Sequence, residues 1–535
     1  MKYLRFTVRT VAAGAALAAI FATAPAWSSV PGILGGDPAT TGAKGFALVA
    51  AEGYSTQPDG ASVYSWGYGC ASAPYGFAPA AMSDPTIANC PTMQIPGPTM
   101  IVNEGDVVTV TLTNNLPVAA GNTSIVFPGF NVSTTAGVAG VLTREAASPS
   151  CVPSLGAGCN TVTYTFTATK PGTYAYYSGT QGDLQIEMGL YGAIVVLPTQ
   201  TTTFANCAGG VHPNEKDFRL AKAAYDHPQS CYDREYLFQL AEMESSIHDA
   251  ALVQKTACET AIAANANASC APIAVQTEPY RPNYYLVNGR SMPDDMDADY
   301  VPLFPNQPYN GNPHMHPHEL VLVRVIGQGR VQHPLHIHGN HARVLARDGN
   351  MLLVPNDVNS PLPGGIPRLA GPLIFTFPSV SGQSVDAIFT WTGKDLNWDV
   401  YGHNATTNVA TCVPDGDGYY TVNSNPAAPL GAPNYGEWCA DHNKPIPVTP
   451  ADPQIVANGL WYGGTPYLGL SESAAAGFPS TPLPPGTAKQ NQTAGYAFMW
   501  HSHDEREITT NDVFPGGMMM MLIVDPPNAV IDESK

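Results

Sequence analysis

The sequence predicts an all-β protein, and three observations lead there. Charged residues make up only 12% of the 535, while 51 glycines and 50 prolines accompany many Val, Thr and Tyr, the composition of short strands joined by turns. Segments such as Val107-Val108-Thr109-Val110-Thr111-Leu112-Thr113 alternate apolar and polar residues, the period of a half-buried strand. Finally, strand-like segments fall into two series, one ending near Leu197 and one opening near Arg234, which points to two β-sandwiches. The length prior leaves room for roughly two to four domains, each with an ample core.

In chain order, Met1-Lys2-Tyr3-Leu4-Arg5 is basic, residues 11–22 are apolar, and Ala24-Pro25-Ala26 has the small-x-small form of a cleavage site. Residues 1–26 therefore read as a secretory signal peptide, which places the protein outside the cytoplasm, in the periplasm or secreted. The apolar run is too short for a membrane span, and no other stretch approaches the needed length. After a loop-rich approach, strands are expected at 100–103 and 107–114 around the Glu104-Gly105-Asp106 turn, then at 123–127, 161–169, 173–177 and 191–197. Residues 200–235 read as a linker, and the second series runs through 234–240, 284–290, 319–326, 333–338 and 385–391 to the strand around 499–503. An alanine-rich stretch, Ala250 to Ala264, is expected to be helical. A Pro/Gly/Asn-rich excursion of nearly a hundred residues, 395–492, is too long for an idle loop and is expected to cover something functional.

The ten cysteines are even in number, as in chains that fold in an oxidising compartment. Their order suggests five local pairs: Cys70 with Cys90, Cys151 with Cys159, Cys207 with Cys231, Cys258 with Cys270, and Cys412 with Cys439. Without Lys2, Arg5 and Arg9 the chain carries 20 basic against 42 acidic side chains, a net charge of −22. So acidic a surface argues against nucleic acid and anionic membranes as partners and is compatible with a metal ion or a redox protein. Self-association into a homo-oligomer is left open.

Five of the 14 histidines lie in two short segments, His333-Pro334-Leu335-His336-Ile337-His338-Gly339 and Met499-Trp500-His501-Ser502-His503. Residues i and i+2 of a strand share a face, so each His-x-His pair presents two imidazoles side by side. Two such strands laid together would converge His336, His338, His501 and His503 on one ion. Imidazole suits copper, zinc, iron and nickel alike. Asp504, Glu505 or Glu507 would be placed to complete the sphere or to transfer protons. The rival triplet His314, His316 and His318 is flanked by Pro313 and Pro317, which favours a solvated loop.

Pro96-Gly97-Pro98-Thr99, Glu104-Gly105-Asp106, Asn114-Asn115-Leu116-Pro117, Pro171-Gly172-Thr173-Tyr174 and Gly189-Leu190-Tyr191-Gly192 resemble the first cupredoxin domain of multicopper oxidases. The two histidine strands resemble their last. The resemblance implies two cupredoxin-like Greek-key β-sandwich domains with long loop insertions, at 45–200 and 235–530, joined by a linker at 201–234. It also implies copper, with His336, His338, His501 and His503 at trinuclear-cluster positions and His333 at a type 1 position. The departures are as specific as the matches. Val126-Phe127-Pro128-Gly129 and Tyr176-Tyr177-Ser178-Gly179 stand where the family has histidine ligands, Ser502 stands at the type 1 cysteine, and Glu507 at a type 1 histidine. The expectation is an exported protein with a reduced, non-blue copper centre, one ion or two, acting as an oxidoreductase or in copper handling. A non-catalytic component of an extracellular redox assembly and a zinc-dependent enzyme are the alternatives. No residue pattern names a substrate or a catalytic group.

Overall fold

The computed structural model describes residues 29–533 apart from 83–89, 152–157, 200–206, 208–211, 213, 266–267, 400–411, 427–434, 445–448, 450–451, 453–459, 462–463, 468–494, 526 and 528. The expected signal peptide and much of the 395–492 excursion therefore lie outside the described residues.

The chain is all-β, as its composition predicts, and its four larger sheets close on two separate apolar cores. Val107–Asn114 shows why these residues make strands. Its burial alternates along the strand, with Val108, Val110 and Leu112 facing inward and threonines outward. The turn before it needs a left-handed residue, which Gly105 supplies at φ +86°. The Asp106 carboxylate then accepts the backbone N–H groups of Asn103 and Gly42 and ties the turn to its neighbour.

In the first sandwich one sheet runs, in spatial order, Gly172–Tyr177, Tyr191–Leu197, Met100–Asn103, Gly32–Leu34, Gly76–Ala78. The facing sheet runs Ser62–Cys70, Ala43–Thr56, Val107–Asn114, Thr161–Thr167, Ser133–Ala136. Neighbours distant in sequence, including parallel pairs, mean crossing connections of the Greek-key kind. The Ala43–Thr56 and Ser62–Cys70 hairpin replaces the loop-rich approach read from composition. Its small residues hide the alternation, although Pro58-Asp59-Gly60 between the strands is a turn signal. Residues 123–127, expected as a strand, make only isolated bridges, Thr123 to Ala146 and Val126 to Tyr177.

The second sandwich sets Tyr284–Val287, Arg234–Met243, Val321–Gly327, Ser384–Phe389 and Ala342–Arg347 against a sheet of His314–Met315, Met519–Val524, Gly495–Ser502, His333–Ile337 and Thr376–Ser379. Phe238, Val323, Leu335, Ile337, Phe377, Trp500, Met518 and Met520 fill its core. Two methionines of the Met518–Met521 run are thus packing residues, as strand alternation requires. The helix forms over Ser245–Ala264, starting earlier than its alanines suggest. All five cysteine pairs expected from their order are disulfides. Across the two sandwiches, Thr173 donates to Asp386, which also accepts from Tyr225, and Arg324 bridges Thr173 and Glu235. Among the described residues no helix is long and apolar enough to cross a membrane.

Candidate metal centre

The two histidine strands are direct neighbours, although 163 residues separate His338 from His501. They pair antiparallel with Leu335 opposite Ser502, His336 opposite His501 and Ile337 opposite Trp500. Because Leu335, Ile337 and Trp500 face the core, alternation turns His336, His338, His501 and His503 to the sheet's outer face. Ring centroids there lie 4.8 Å (His336 to His338), 4.9 Å (His336 to His503), 5.2 Å (His338 to His501) and 5.6 Å (His336 to His501, and His501 to His503) apart. Metal–nitrogen bonds of about 2 Å would put each centroid roughly 3 Å from an ion, and four rings around it about 5 Å apart. The spacing therefore suits one ion shared by four imidazoles.

Two of the four rings are held in place by neighbouring groups. His336 Nδ1 is 2.9 Å from Thr376 Oγ1, and His501 Nδ1–H donates to the Ser502 carbonyl at 2.7 Å, which leaves the Nε2 lone pair of His501 for a metal. Burial, followed by the neighbouring rings of His338, His503 and His501, pushes His336 down to about 4. His501 is lowered first by burial as well. His503 is the open member, with its side chain 56% exposed beside the still more exposed Glu505. From the excursion, Leu460–Trp461 pairs with Gly339–Asn340, and Gly464–Tyr467 pairs with the strand that carries His501.

His333, placed by the family resemblance at a type 1 position, lies apart from this group. It is three residues from His336, so strand alternation points it to the opposite, inner face. There its Nε2 lies 2.7 Å from Glu242 Oε2 and its Nδ1 2.9 Å from Glu507 Oε1, all in near-complete burial. Ser502 donates to the other oxygen of Glu507 at 2.5 Å. Glu242 is anchored in turn by the backbone N–H groups of Arg330 and Val331. Burial alone would lower the His333 pKa, but the hydrogen bond to Glu242 and the adjoining Glu507 carboxylate outweigh it and raise it to about 9. Glu507 is likewise turned away from the four imidazoles. The three positions that would match a type 1 site are thus together, but as a Glu–His–Glu ion network with no thiolate and no imidazole nitrogen left for a metal. The residues present do not fit a blue copper site.

Nor do they fit a three-copper cluster. The chain has no histidine before His212. Val126, Pro128, Tyr177 and Gly179 stand at the first-domain ligand positions, and none can supply an imidazole, while the neighbouring Phe127 and Tyr176 pack in the first core with ring centroids 6.2 Å apart. The donor set fits a single ion at His336, His338, His501 and His503.

The rival triplet departs from the solvated loop that its prolines suggested. His314 lies in a short strand beside Met519–Val524, and both His314 and His316 are buried. His314 Nδ1 is 2.7 Å from Asp525 Oδ2 and His316 Nε2 is 2.8 Å from Glu215 Oε1, partners that local sequence could not reveal.

Residues 91–201 match the family model described as multicopper oxidase, which bears out the resemblance read from the sequence over the first sandwich. A search of curated proteins returns no match. Among solved structures, the multicopper oxidase mgLAC is similar at 15% identity, with 90% of this chain and 86% of that chain covered and a TM-score of 0.42. A blue copper oxidase from Nitrosomonas europaea is similar at 15% identity over 90% and 85%, with a TM-score of 0.41. A copper nitrite reductase from the same organism is similar at 20% identity over 65% and 85%, with a TM-score of 0.36.

Proposed function

We propose that this multicopper-oxidase-like chain is an exported copper protein with one mononuclear, non-blue centre at His336, His338, His501 and His503, acting as an oxidoreductase or in copper handling. The observation that carries the reading is the meeting of four imidazoles on the outer face of two adjacent strands. Four neutral nitrogens suit Cu(II), and copper there would supply one-electron chemistry or be the protein's cargo. His501 would bind through Nε2, since the Ser502 carbonyl holds its Nδ1–H. His336 gives the site a buried wall, while exposed His503 leaves a side open to solvent for ion exchange or for a small reductant. Five disulfides support folding in an oxidising compartment, in keeping with export.

Metal analysis of protein purified from the native host, with an electron paramagnetic resonance spectrum of the oxidised form, tests this. One copper per chain is expected, with a non-blue signal that disappears in the double variant His336→Ala, His503→Ala. Zinc bound in place of copper at these histidines would favour a zinc enzyme. No metal at them would favour a non-catalytic component.

A further inference from the structure

A second group of metal-ligating side chains lies away from the four imidazoles. His212 and Glu215 belong to the stretch between the sandwiches, and His316 follows the His314–Met315 strand. One ligand atom from each lies within 4.8 Å of the others. Glu215 Oε1 is 2.8 Å from His316 Nε2 and 3.8 Å from His212 Nδ1, and the two imidazoles stack with centroids 4.0 Å apart, closer than two rings on one ion, so they would part to admit it. All three side chains are at most 7% exposed. Metal–ligand bonds of about 2 Å place adjacent donors of a tetrahedral ion about 3.3 Å apart, inside the range seen here.

The surroundings are rich in anionic acceptors. His316 Nδ1 lies 3.3 Å from the Asp525 carbonyl, and in the tautomer that donates there the Nε2 lone pair faces the Glu215 carboxylate, as in a metal ligand. In that tautomer the two acceptors, 2.8 Å apart, would hold a metal ion between them. Arg234 is the cation already present, but it meets three carboxylates, Glu215, Glu319 and Glu533, at 2.5, 2.6 and 3.2 Å. A cleft lined by His212, Glu215, Arg234, Glu319 and Glu533 gives access. The cluster is independent of the proposed copper site. Met519 pairs with His501 whereas Asp525 contacts His316, six residues further along the chain, or about 20 Å at strand rise.

We propose that His212, Glu215 and His316 form a second metal site, for one divalent ion of the zinc class, that fastens the stretch between the sandwiches to the second sandwich. Two imidazoles and one carboxylate are a zinc donor set with a position left for water. The C-terminal segment shares the fastening, because the Ile531 N–H donates to Glu215 Oε1 at 2.7 Å.

The test is calorimetric titration of chelator-stripped, full-length His336→Ala, His503→Ala protein with Zn(II) at pH 7. One equivalent is expected to bind, at least tenfold more weakly once His212→Ala is added and not at all with His316→Ala. Zinc should raise the melting temperature of the double variant and leave that of the His316→Ala triple variant unchanged. In the otherwise unmodified chain, His316→Ala should lower bound zinc by one equivalent, a reading that does not depend on the folding of the double variant. No zinc bound in the double variant would mean that a proton occupies the cluster and would overturn the proposal. Zinc held equally well without His212 and His316 would overturn it too. Neither result depends on whether copper binds at His336, so the two readings fail separately.

Discussion

The strands His333–Ile337 and Gly495–Ser502 carry histidines on both faces, and the two faces treat an imidazole in opposite ways. On the inner face His333 is fully buried between two carboxylates and held as a cation. On the outer face His336 and its three neighbours crowd one another, and burial with mutual repulsion keeps His336 neutral. The fold places both sets within one strand pair, so the difference comes from what faces them. A buried imidazole flanked by anions takes up a proton, whereas one flanked by other imidazoles gives its proton up, which is the form a metal would need.

The largest expected effect is on stability. His333→Ala leaves Glu242 and Glu507 buried without their cation and should cost about 3–5 kcal/mol in urea unfolding, the range for breaking a buried pair. His338→Ala on the outer face should cost far less. Equal losses would erase the distinction between the faces.

The pH dependence should follow with opposite signs. His333 has a folded pKa raised to about 9 from an ordinary 6.5, so its contribution is fully present below about 6.5 and is lost as pH rises through about 9. His336 has a folded pKa lowered to about 4, so the folded state loses ground to the protonated unfolded chain as pH falls from about 6.5 toward 4. Unfolding midpoints measured across this range should show His333→Gln flattening the alkaline limb alone and His336→Gln flattening the acid limb alone. A single variant that flattens both would show the two sets to be coupled.

Spectroscopy sharpens the same contrast. The copper-loaded protein should be nearly colourless, and Ser502→Cys alone should not bring the intense thiolate-to-copper band, because both ring nitrogens of His333 are engaged by carboxylates. A strong visible band in either protein would refute the inner-face assignment. The smallest effect belongs to Glu505→Gln. That side chain is 77% exposed, and the change should leave stability within about 0.5 kcal/mol and copper stoichiometry unaltered.

The all-β class, the five disulfide pairs and the outer-face quartet were all legible in the chain. Composition, the order of cysteines and the two-residue period that puts His336 beside His338 and His501 beside His503 are local patterns, while the meeting of the two histidine pairs was implied by the family resemblance. That period also puts His333 on the other face, since three residues of strand reverse the side, and this agrees with its separate family position. The Ala43–Thr56 and Ser62–Cys70 strands were hidden for a different reason, because small residues such as Gly45, Ala47 and Gly67 blunt the alternation. Only tertiary structure could bring Glu242 to His333 from 91 residues away, or Glu215 to His316 from 101. A carboxylate's partner is chosen by packing across sheets, and nothing in the residues on either side of Glu242 or Glu215 records which imidazole it will meet.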